Sequence, residues 1–343
     1  MRWPRSPVNA MSMPTYLAAF ALAAVFALYW TPVIRRAAIR MGIVDSPDGR
    51  LKRHEEDVPY LGGLAVFIAF LLTVGVFTEF QQETLGLLLS GTIILMVGLI
   101  DDFGVLTPRQ KLLGQALASL VLIKSGIFIR LEFLSEPVAV TLTVLWILSV
   151  TNAFNIIDIM DGLAPGVAVI AAVVIGAANV LAGRDSIAFL SIVLAGAVLG
   201  FLRHNFHPAR IYLGDAGSLF IGFMLAALSM NAGYTRINLI ASISPALILG
   251  IPLFDLAFVM YVRWRKGIPI MHGSPDHFAL RLRQCRLSVR ETTLVTYAAT
   301  ALLGAAALIV SQVTVQLALA TVATTLSLAL ISAYLLMKVD TDR

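Results

Sequence analysis

The chain has 343 residues, of which 59% are hydrophobic and only 13% are charged, and its mean hydropathy is +0.88. A soluble domain carries roughly 25% charged residues, so this composition excludes an ordinary soluble fold. Apolar runs close to the length that crosses a bilayer recur from end to end, which predicts an all-α, polytopic integral membrane bundle. These runs do not alternate with a period of two, which excludes a β-barrel. The single cysteine, Cys285, excludes an internal disulfide and a thiolate metal cluster.

Taken in chain order, the apolar runs between charged and turn residues predict about 11 transmembrane helices. They cover residues 14–34, 61–78, 84–100, 110–127, 137–154, 162–182, 186–202, 211–230, 237–262, 292–311 and 314–337. With the amino terminus outside, the cytosolic segments hold 19 of the 25 Lys and Arg residues, so the positive-inside rule favours this orientation. The net charge of +5 therefore indicates topology and phosphate or anionic lipid ligands, not nucleic acid.

No internal repeat or linker divides the sequence, so residues 1–343 are predicted to form a single domain. The longest polar connections are 35–60 and 263–290, and both are predicted to be cytosolic. Both are rich in Arg, Lys and His and are long for simple turns, which predicts functional cytosolic loops.

Acidic and amide side chains fall at or near one predicted membrane face. They are Asp101 and Asp102 after the third span, Asn155, Asp158 and Asp161 after the fifth, Asp215 opening the eighth, and Asp255 within the ninth. Two adjacent carboxylates at a lipid boundary repel each other unless a cation holds them, which favours a function for Asp101 and Asp102 over a boundary marker. A spacing of three residues places Asn155, Asp158 and Asp161 on one helical face. For Asp255, a structural and a functional role weigh equally.

The segment Tyr212-Leu-Gly-Asp-Ala-Gly-Ser predicts a tight turn at the amino terminus of a helix. Gly214 and Gly217 would let backbone N–H groups approach an anion there. Together with oxygen donors from two other spans, Asp215 completes the set of hard ligands that Mg²⁺ prefers, with positions left for diphosphate oxygens and water.

Basic side chains occur on the same predicted face. One candidate is Lys111, nine residues after Asp102. The others are Lys52 and His54 in the loop 35–60, and His272, His277 and Arg281 in the loop 263–290. Each alone is typical of a snorkelling anchor or a topology signal, but together they favour phosphate binding. Polar groups at one membrane surface suit a reaction between a soluble nucleotide and a lipid-borne acceptor, whereas a transporter would place its acids near the midplane.

At these residues the sequence resembles the polyprenyl-phosphate N-acetylhexosamine-1-phosphate transferase family, from Asp45 to about Arg283. The resemblance implies transfer of a sugar-1-phosphate, GlcNAc-1-phosphate first, from a UDP-sugar to undecaprenyl or another polyprenyl phosphate, with release of UMP. It implies the following roles: Asp101 and Asp102 catalytic, Asn155 and Asp215 as ligands of Mg²⁺ or Mn²⁺, Lys111 on the diphosphate, Asp161 near the uracil and Tyr212 stacked on it. It also implies a multi-pass protein of the bacterial inner membrane whose active site faces the cytosol, either as a monomer or as a homodimer.

Two departures from the family pattern are visible. The usual Asp-Gly-x-Asp-Gly reads Asp158-Ile-Met-Asp161-Gly162, and only His277 remains of a His-x-His-His cluster. One alternative is transfer of phospho-MurNAc-pentapeptide, against which the missing histidine cluster argues. The other is a membrane transporter that uses the carboxylates as a cation pathway.

Overall fold

The computed structural model describes residues 11–45, 58–79, 81–131, 133–230, 233–269 and 275–339. Within these ranges the chain is an all-α bundle. The helices are α1 Met13–Arg40, α2 Gly62–Phe77, α3 Gln82–Asp102, α4 Pro108–Lys124, α5 Glu136–Ile157, α6 Leu163–Leu181, α7 Asp185–Asn205, α8 Gly214–Ser229, α9 Ser244–Ile248, α10 Gly250–Lys266, α11 Phe278–Gln284, α12 Val289–Gln312 and α13 Val315–Met337. Two 3₁₀ turns, Tyr234–Arg236 and Leu239–Ile243, precede α9, and a short antiparallel pair joins β1 Val44–Asp45 to β2 Val58–Pro59.

The prediction of an integral membrane bundle is confirmed. In the described part of the chain, eight helices are long and apolar enough to cross a membrane, or nine if one bent pair is a single span. The predicted second and fourth spans form helices of 16 and 17 residues, α2 and α4. At about 1.5 Å per residue these helices are shorter than a hydrocarbon core of about 30 Å.

The predicted ninth span, 237–262, is not one straight helix. It is divided into the segments Leu239–Ile248 and Gly250–Lys266, which meet at an angle of 76°. Pro252 lies in the first turn of α10, where its missing N–H costs no helical hydrogen bond, but it cannot continue a helix arriving from α9. The apolar run in the sequence therefore holds a break that hydropathy does not show.

Helix α8 is the centre of the bundle and is buried along its length from Ala216 to Ser229. Glycines let its amino-terminal end approach α2 and α3 closely. A side-chain carbon added to Gly63 would lie 2.2 Å from the Cα of Gly217, and one added to Gly98 would lie 2.4 Å from the Cα of Ala216. This packing of small residues fixes the start of α8 against its two neighbours.

Backbone hydrogen bonds attach the segment before α2 to the loop before α8. Tyr212 N donates to Pro59 O at 2.9 Å, and Gly62 N and Gly63 N donate to Tyr212 O and Leu213 O at 3.0 and 2.9 Å. Because the two segments are about 150 residues apart, this pairing is a tertiary feature that sequence periodicity does not reveal. It sets the position of Tyr212 at one end of the bundle.

Candidate active site

A cleft of about 770 Å³ opens where α3 and α5 end and α8 begins. Its volume is in the range that holds a nucleotide-sized ligand. Eight of the predicted site residues line this cleft: Asp101, Asp102, Asn155, Asp158, Asp161, Tyr212, Gly214 and Asp215. The fold therefore brings residues from three distant stretches of chain to one place at one end of the helices.

Lys111 is at the centre of the polar contacts beside this cleft. Its ammonium lies 2.5 Å from Asp101 Oδ2, 2.8 Å from Asp215 Oδ2 and 3.1 Å from Asn155 Oδ1. These three oxygens come from α3, α8 and α5. The side chains of Lys111 and Asp101 are each only 14% exposed, so water screens this ion pair weakly.

The start of α4 explains how Lys111 is positioned. Thr107 and Gln110 form a capping box, in which Thr107 N donates to Gln110 Oε1 at 2.9 Å and Gln110 N donates to Thr107 Oγ1 at 3.4 Å. Pro108 at the first helical position adds a fixed φ angle. These local signals begin the helix one turn before Lys111, so its side chain leaves the first turn of α4 toward α3, α5 and α8.

Asn155 joins α5 to α8. Its amide nitrogen donates to Asp215 Oδ1 at 2.7 Å and to Ser218 Oγ at 3.0 Å, while its amide oxygen faces Lys111. Asp215 thus receives Lys111 on one oxygen and Asn155 on the other. The predicted pair Asn155 and Asp215 is in direct contact.

Asp102 turns away from Asp101 and faces the amino terminus of α8. Its two carboxylate oxygens accept hydrogen bonds from Asp215 N at 2.7 Å and Ala216 N at 3.1 Å. Adjacent residues on a helix project about 100° apart, so the pair serves two different partners. The anion at the amino terminus of α8 is therefore the carboxylate of Asp102. The helix dipole stabilises its negative charge, and the carboxylate accepts hydrogen bonds from two N–H groups that have no partner within the helix.

Gly214 is the residue that lets Asp102 come so close. Its φ is +75°, and a side-chain carbon added there would lie 2.9 Å from Asp102 Oδ2. Both the left-handed backbone and the close approach favour glycine at this position. The glycine of the Tyr-Leu-Gly-Asp segment thus supports the Asp102 contact.

The other side of the cleft is built on Asp161. Its Oδ2 atom lies 2.7 Å from His207 Nδ1 and accepts the Ala209 N–H at 3.0 Å. Arg290 donates to the His207 carbonyl oxygen at 3.2 Å from Nη2. Asp161 therefore holds the connection between α7 and α8 against the start of α6, next to the Tyr212 side of the cleft.

Asp158 lies between α5 and α6, outside the spanning segments. Burial, and after it the negative charges of Asp215, Asp102 and Asp161, raise its pKa to about 8. A carboxyl with such a pKa holds a proton near neutral pH, or ionises when a cation reaches it.

The oxygens around Lys111 are the donors that a hard cation would use. Asp101, Asp215 and Asn155 supply two carboxylates and one amide oxygen from three helices. Within the described ranges, no group of three His, Cys, Asp or Glu side chains is arranged to hold a metal. The amide of Asn155 takes the place of a third carboxylate, and this donor set fits a cation that completes its shell with phosphate oxygens and water.

Two predicted residues lie away from the cleft and from Lys111 beside it. His277 is buried, with Nδ1 2.8 Å from Asp255 Oδ2, and Asp255 Oδ1 also accepts the Phe278 N–H at 2.9 Å. Arg281 is buried against Asp276 at 2.9 Å and donates to the Val339 carbonyl at 2.6 Å. In this structure these side chains attach α11 to α10 and to the end of α13, and Asp255 has a structural contact. Lys52, His54 and His272 lie outside the described residues.

Sequence reasoning missed several residues of the site. Asn205 Oδ1 accepts the Gly162 N–H at 3.0 Å, and Tyr297 OH donates to Gly162 O at 2.5 Å. His207 and Arg283 line the cleft. Residues 203–210 contributed to the predicted topology only as basic residues of a cytosolic connection. Asn205 and Pro208 are the signal that could have indicated a turn there. Tyr297 lies within an apolar run and gives no sequence signal.

The fold and the cleft define a class of integral membrane protein with an acidic, lysine-centred site at one end of its helices. Residues 84–233 match the model of glycosyl transferase family 4. A probable undecaprenyl-phosphate N-acetylglucosaminyl 1-phosphate transferase of Bacillus subtilis is 36% identical over 312 residues, covering 88% of this chain and 86% of the relative. A decaprenyl-phosphate N-acetylglucosaminephosphotransferase of Mycobacterium tuberculosis is 33% identical over 313 residues, covering 80% and 77%. An undecaprenyl-phosphate alpha-N-acetylglucosaminyl 1-phosphate transferase of Escherichia coli K12 is 25% identical over 310 residues, covering 87% and 83%. The chain belongs to glycosyl transferase family 4.

Proposed function

We propose that this protein transfers N-acetylglucosamine 1-phosphate from UDP-GlcNAc to a polyprenyl phosphate and releases UMP. The names of the similar relatives support the sugar phosphate and the lipid acceptor. The observation that carries the proposal is the contact of Lys111 with Asp101, Asn155 and Asp215 beside one cleft. A charged centre at the membrane end of a helical bundle can meet both a soluble nucleotide and a lipid phosphate.

In the proposed reaction an oxygen of the lipid phosphate attacks the phosphorus that carries the sugar. The bond from this phosphorus to the bridging oxygen breaks, and UMP leaves with that oxygen. Phosphoryl transfer requires mainly positioning and neutralisation of charge. Lys111 is the cation that the chain itself supplies, and its surrounding oxygens hold the ammonium in place. Asp101 lies beside it, where it can orient the attacking phosphate, while Asp102 holds the start of α8.

A divalent cation, Mg²⁺ or Mn²⁺, is part of the proposal. Asp215 and Asn155, with Asp101 next to them, are the residues that would hold it. When bound, it would neutralise diphosphate oxygens and stabilise charge in the transition state. The support is the chemistry of the donor set, since carboxylate and amide oxygens are the ligands that Mg²⁺ prefers.

The nucleotide is proposed to lie on the Asp161 side of the cleft. Asp161 orders the connection between α7 and α8 through His207 and Ala209, and Tyr212 adds an aromatic ring to the same lining. An aromatic ring beside ordered polar groups suits a uracil base, which stacks on one face and forms hydrogen bonds at its edge.

The finer topology is also proposed: 11 transmembrane helices, an amino terminus outside, and a cleft that faces the cytosol of a bacterial inner membrane. The oligomeric state is left open between a monomer and a homodimer. Cys285 allows a direct test, because it is the single cysteine, is exposed and lies two residues after Arg283 of the cleft lining. An impermeant maleimide should label it in inverted vesicles and not in intact spheroplasts, and the reverse pattern would contradict the orientation.

The activity is tested by release of UMP from purified protein with Mg²⁺ and polyprenyl phosphate. The donors to compare are UDP-GlcNAc, UDP-GalNAc and UDP-MurNAc-pentapeptide. We expect UMP with UDP-GlcNAc, and none when the lipid or the divalent ion is omitted. Turnover with UDP-MurNAc-pentapeptide alone would replace the proposed donor, and absence of UMP with every donor would support a transporter.

A further inference from the structure

A second cavity of about 560 Å³, called here the distal cavity, lies at the other end of the bundle. Glu83 in the first turn of α3 lines it, whereas Asp101 and Asp102 at the opposite end of the same helix line the cleft. The 21 residues of α3 span about 31 Å at 1.5 Å per residue, close to the thickness of a hydrocarbon core. The distal cavity and the cleft therefore lie near opposite membrane surfaces.

The mouth of the distal cavity is basic. Arg130 and Arg184 line it, and the charge of Arg236 acts directly on Arg184. A side-chain carbon added to Gly233 would lie 3.4 Å from Arg184 Nε and 3.7 Å from Arg236 Nε, so two guanidinium groups converge beside this glycine. Within the described residues, no carboxylate forms an ion pair with Arg184 or with Arg236. Burial and the neighbouring Arg236 lower the pKa of Arg184.

One carboxylate lies near this basic group. A side-chain carbon added to Gly126 would lie 3.9 Å from Arg130 Nη2 and 4.0 Å from Glu83 Oε1, which places Glu83 beside Arg130. Arg184 and Arg236 have no ion-paired carboxylate among the described residues, so their positive charges face each other. A bound anion relieves such a repulsion between like charges.

The position of these arginines is unusual for the chain. Only six of its 25 Lys and Arg residues fall on this side of the predicted topology. Of the four among them that the structure describes, Arg130 and Arg184 line the distal cavity and Arg236 lies next to Arg184. A preference for positive charge at the cytosolic surface would place arginines at the opposite end, so it does not account for this group.

Tyr234 gives an independent sign of a missing partner. Its side chain lines the distal cavity and is 7% exposed, and its hydroxyl is buried with no hydrogen-bond partner among the described residues. Buried hydroxyl groups are almost always hydrogen bonded, because an unpaired one costs free energy. The hydroxyl can donate to an oxygen of a bound anion.

Apolar side chains continue from the basic mouth along α5. Leu142 and Leu145 line the distal cavity and remain 40% and 54% exposed, and Trp146 of the same helix lines it too. A basic mouth with an apolar wall matches a molecule with an anionic head and a hydrocarbon chain. A free phosphate ion would use the arginines but not this wall.

We propose that the distal cavity binds the phosphate group of an anionic phospholipid. Arg184 and Arg236 bind the phosphate, Tyr234 donates a hydrogen bond to it, and an acyl chain lies along Leu142 and Leu145. The lipid is on the membrane surface opposite the cleft, so it is distinct from the acceptor of the proposed reaction.

The test is native mass spectrometry of the purified full chain with phosphatidylglycerol or phosphatidylcholine. We expect tight binding of phosphatidylglycerol and weaker binding of phosphatidylcholine. The double variant Arg184→Gln/Arg236→Gln should lose about tenfold or more in phosphatidylglycerol affinity, the scale of a lost pair of charge-assisted hydrogen bonds. Tyr234→Phe conserves the volume of the side chain and should weaken binding by a smaller factor, which tests the site even if the double variant fails to fold.

Arg265→Gln is the matched control, because Arg265 is an exposed arginine at the end of α10 and lines neither cavity. It should keep the affinity of the unmodified chain. Equal loss in this control, or unchanged affinity in both test variants, would overturn the proposal. Binding of inorganic phosphate without any preference for phosphatidylglycerol would overturn the assignment to a lipid. A raised KM for polyprenyl phosphate with unchanged phosphatidylglycerol affinity would also overturn it, by assigning the cavity to the acceptor chain.

Discussion

Replacing Lys111 by Met tests the centre of the candidate site. The change keeps a long apolar stem and removes the ammonium that lies 2.5 Å from Asp101 and 2.8 Å from Asp215. Removing one partner of a buried ion pair costs about 3–5 kcal/mol, because the remaining charge is left without compensation. The Asp215 side chain is 35% exposed, so water screens part of that loss. We expect the free energy of unfolding to fall by about 2–3 kcal/mol in metal-free buffer.

The same variant should respond more strongly to Mg²⁺. Without the ammonium, the oxygens of Asp101, Asp215 and Asn155 are free to bind a cation. An ion at about 100 times its dissociation constant stabilises a folded protein by about 2.7 kcal/mol, so Mg²⁺ should recover most of the loss in Lys111→Met. Turnover should still fall about 10²–10³-fold, because the fixed positive charge is absent during transfer.

The assay is thermal or denaturant unfolding in detergent with EDTA and with Mg²⁺, followed by UMP release. Lys124→Met is the matched control: it is the same substitution in the last turn of the same helix, at an exposed lysine outside the cleft. The control should keep stability, Mg²⁺ response and turnover. If Lys111→Met unfolds like the unmodified chain in EDTA and retains full turnover, the reasoning about this cluster is wrong.

Three further predictions concern the same cleft. Asp102→Asn removes the negative charge that accepts hydrogen bonds from two N–H groups of α8, so the free energy of unfolding should fall by about 2 kcal/mol and turnover should be lost. Full activity of this variant would remove Asp102 from the mechanism. Gly214→Ala and the control Gly267→Ala both place alanine at positive φ, which lowers the free energy of unfolding by about 1–2 kcal/mol in each variant. Only Gly214→Ala displaces Asp102, so only this variant should reduce UMP release. Asp158 has its pKa raised to about 8, so the folded state keeps a proton that the unfolded chain loses at lower pH. The stability from this proton is present at low pH and is lost as pH rises toward about 8, and unfolding of Asp158→Asn in EDTA should lack this pH dependence. Equal pH profiles for the two proteins would contradict the raised pKa.

The membrane class of this protein was predictable from the sequence because burial in lipid demands a composition that no soluble fold tolerates. The predicted fourth span begins at residue 110, whereas α4 begins at Pro108. Thr107 and Gln110 fix that end by contacts within four residues, which a local sequence pattern can encode. The break in the predicted ninth span was missed, because the residues on both sides are equally apolar and hydropathy does not report direction.

The candidate site divides in the same way. The residue types of Asp101, Asp102, Asn155 and Asp215 pointed to cation and phosphate chemistry without any structure. Their different tasks did not follow from the sequence, since Asp101 faces Lys111 and Asp102 faces the backbone of α8. That difference arises from the close packing of α8 against α2 and α3.

The sequence by itself determined that this chain is a helical membrane protein with acidic, amide and basic groups at one predicted surface, because hydropathy and charge act residue by residue. Only the tertiary structure decided that Lys111 meets three helices, that His277 and Arg281 hold α11, and that three arginines gather at the far end. These contacts join residues far apart in the chain, and their partners are chosen by helix packing, which no local pattern encodes.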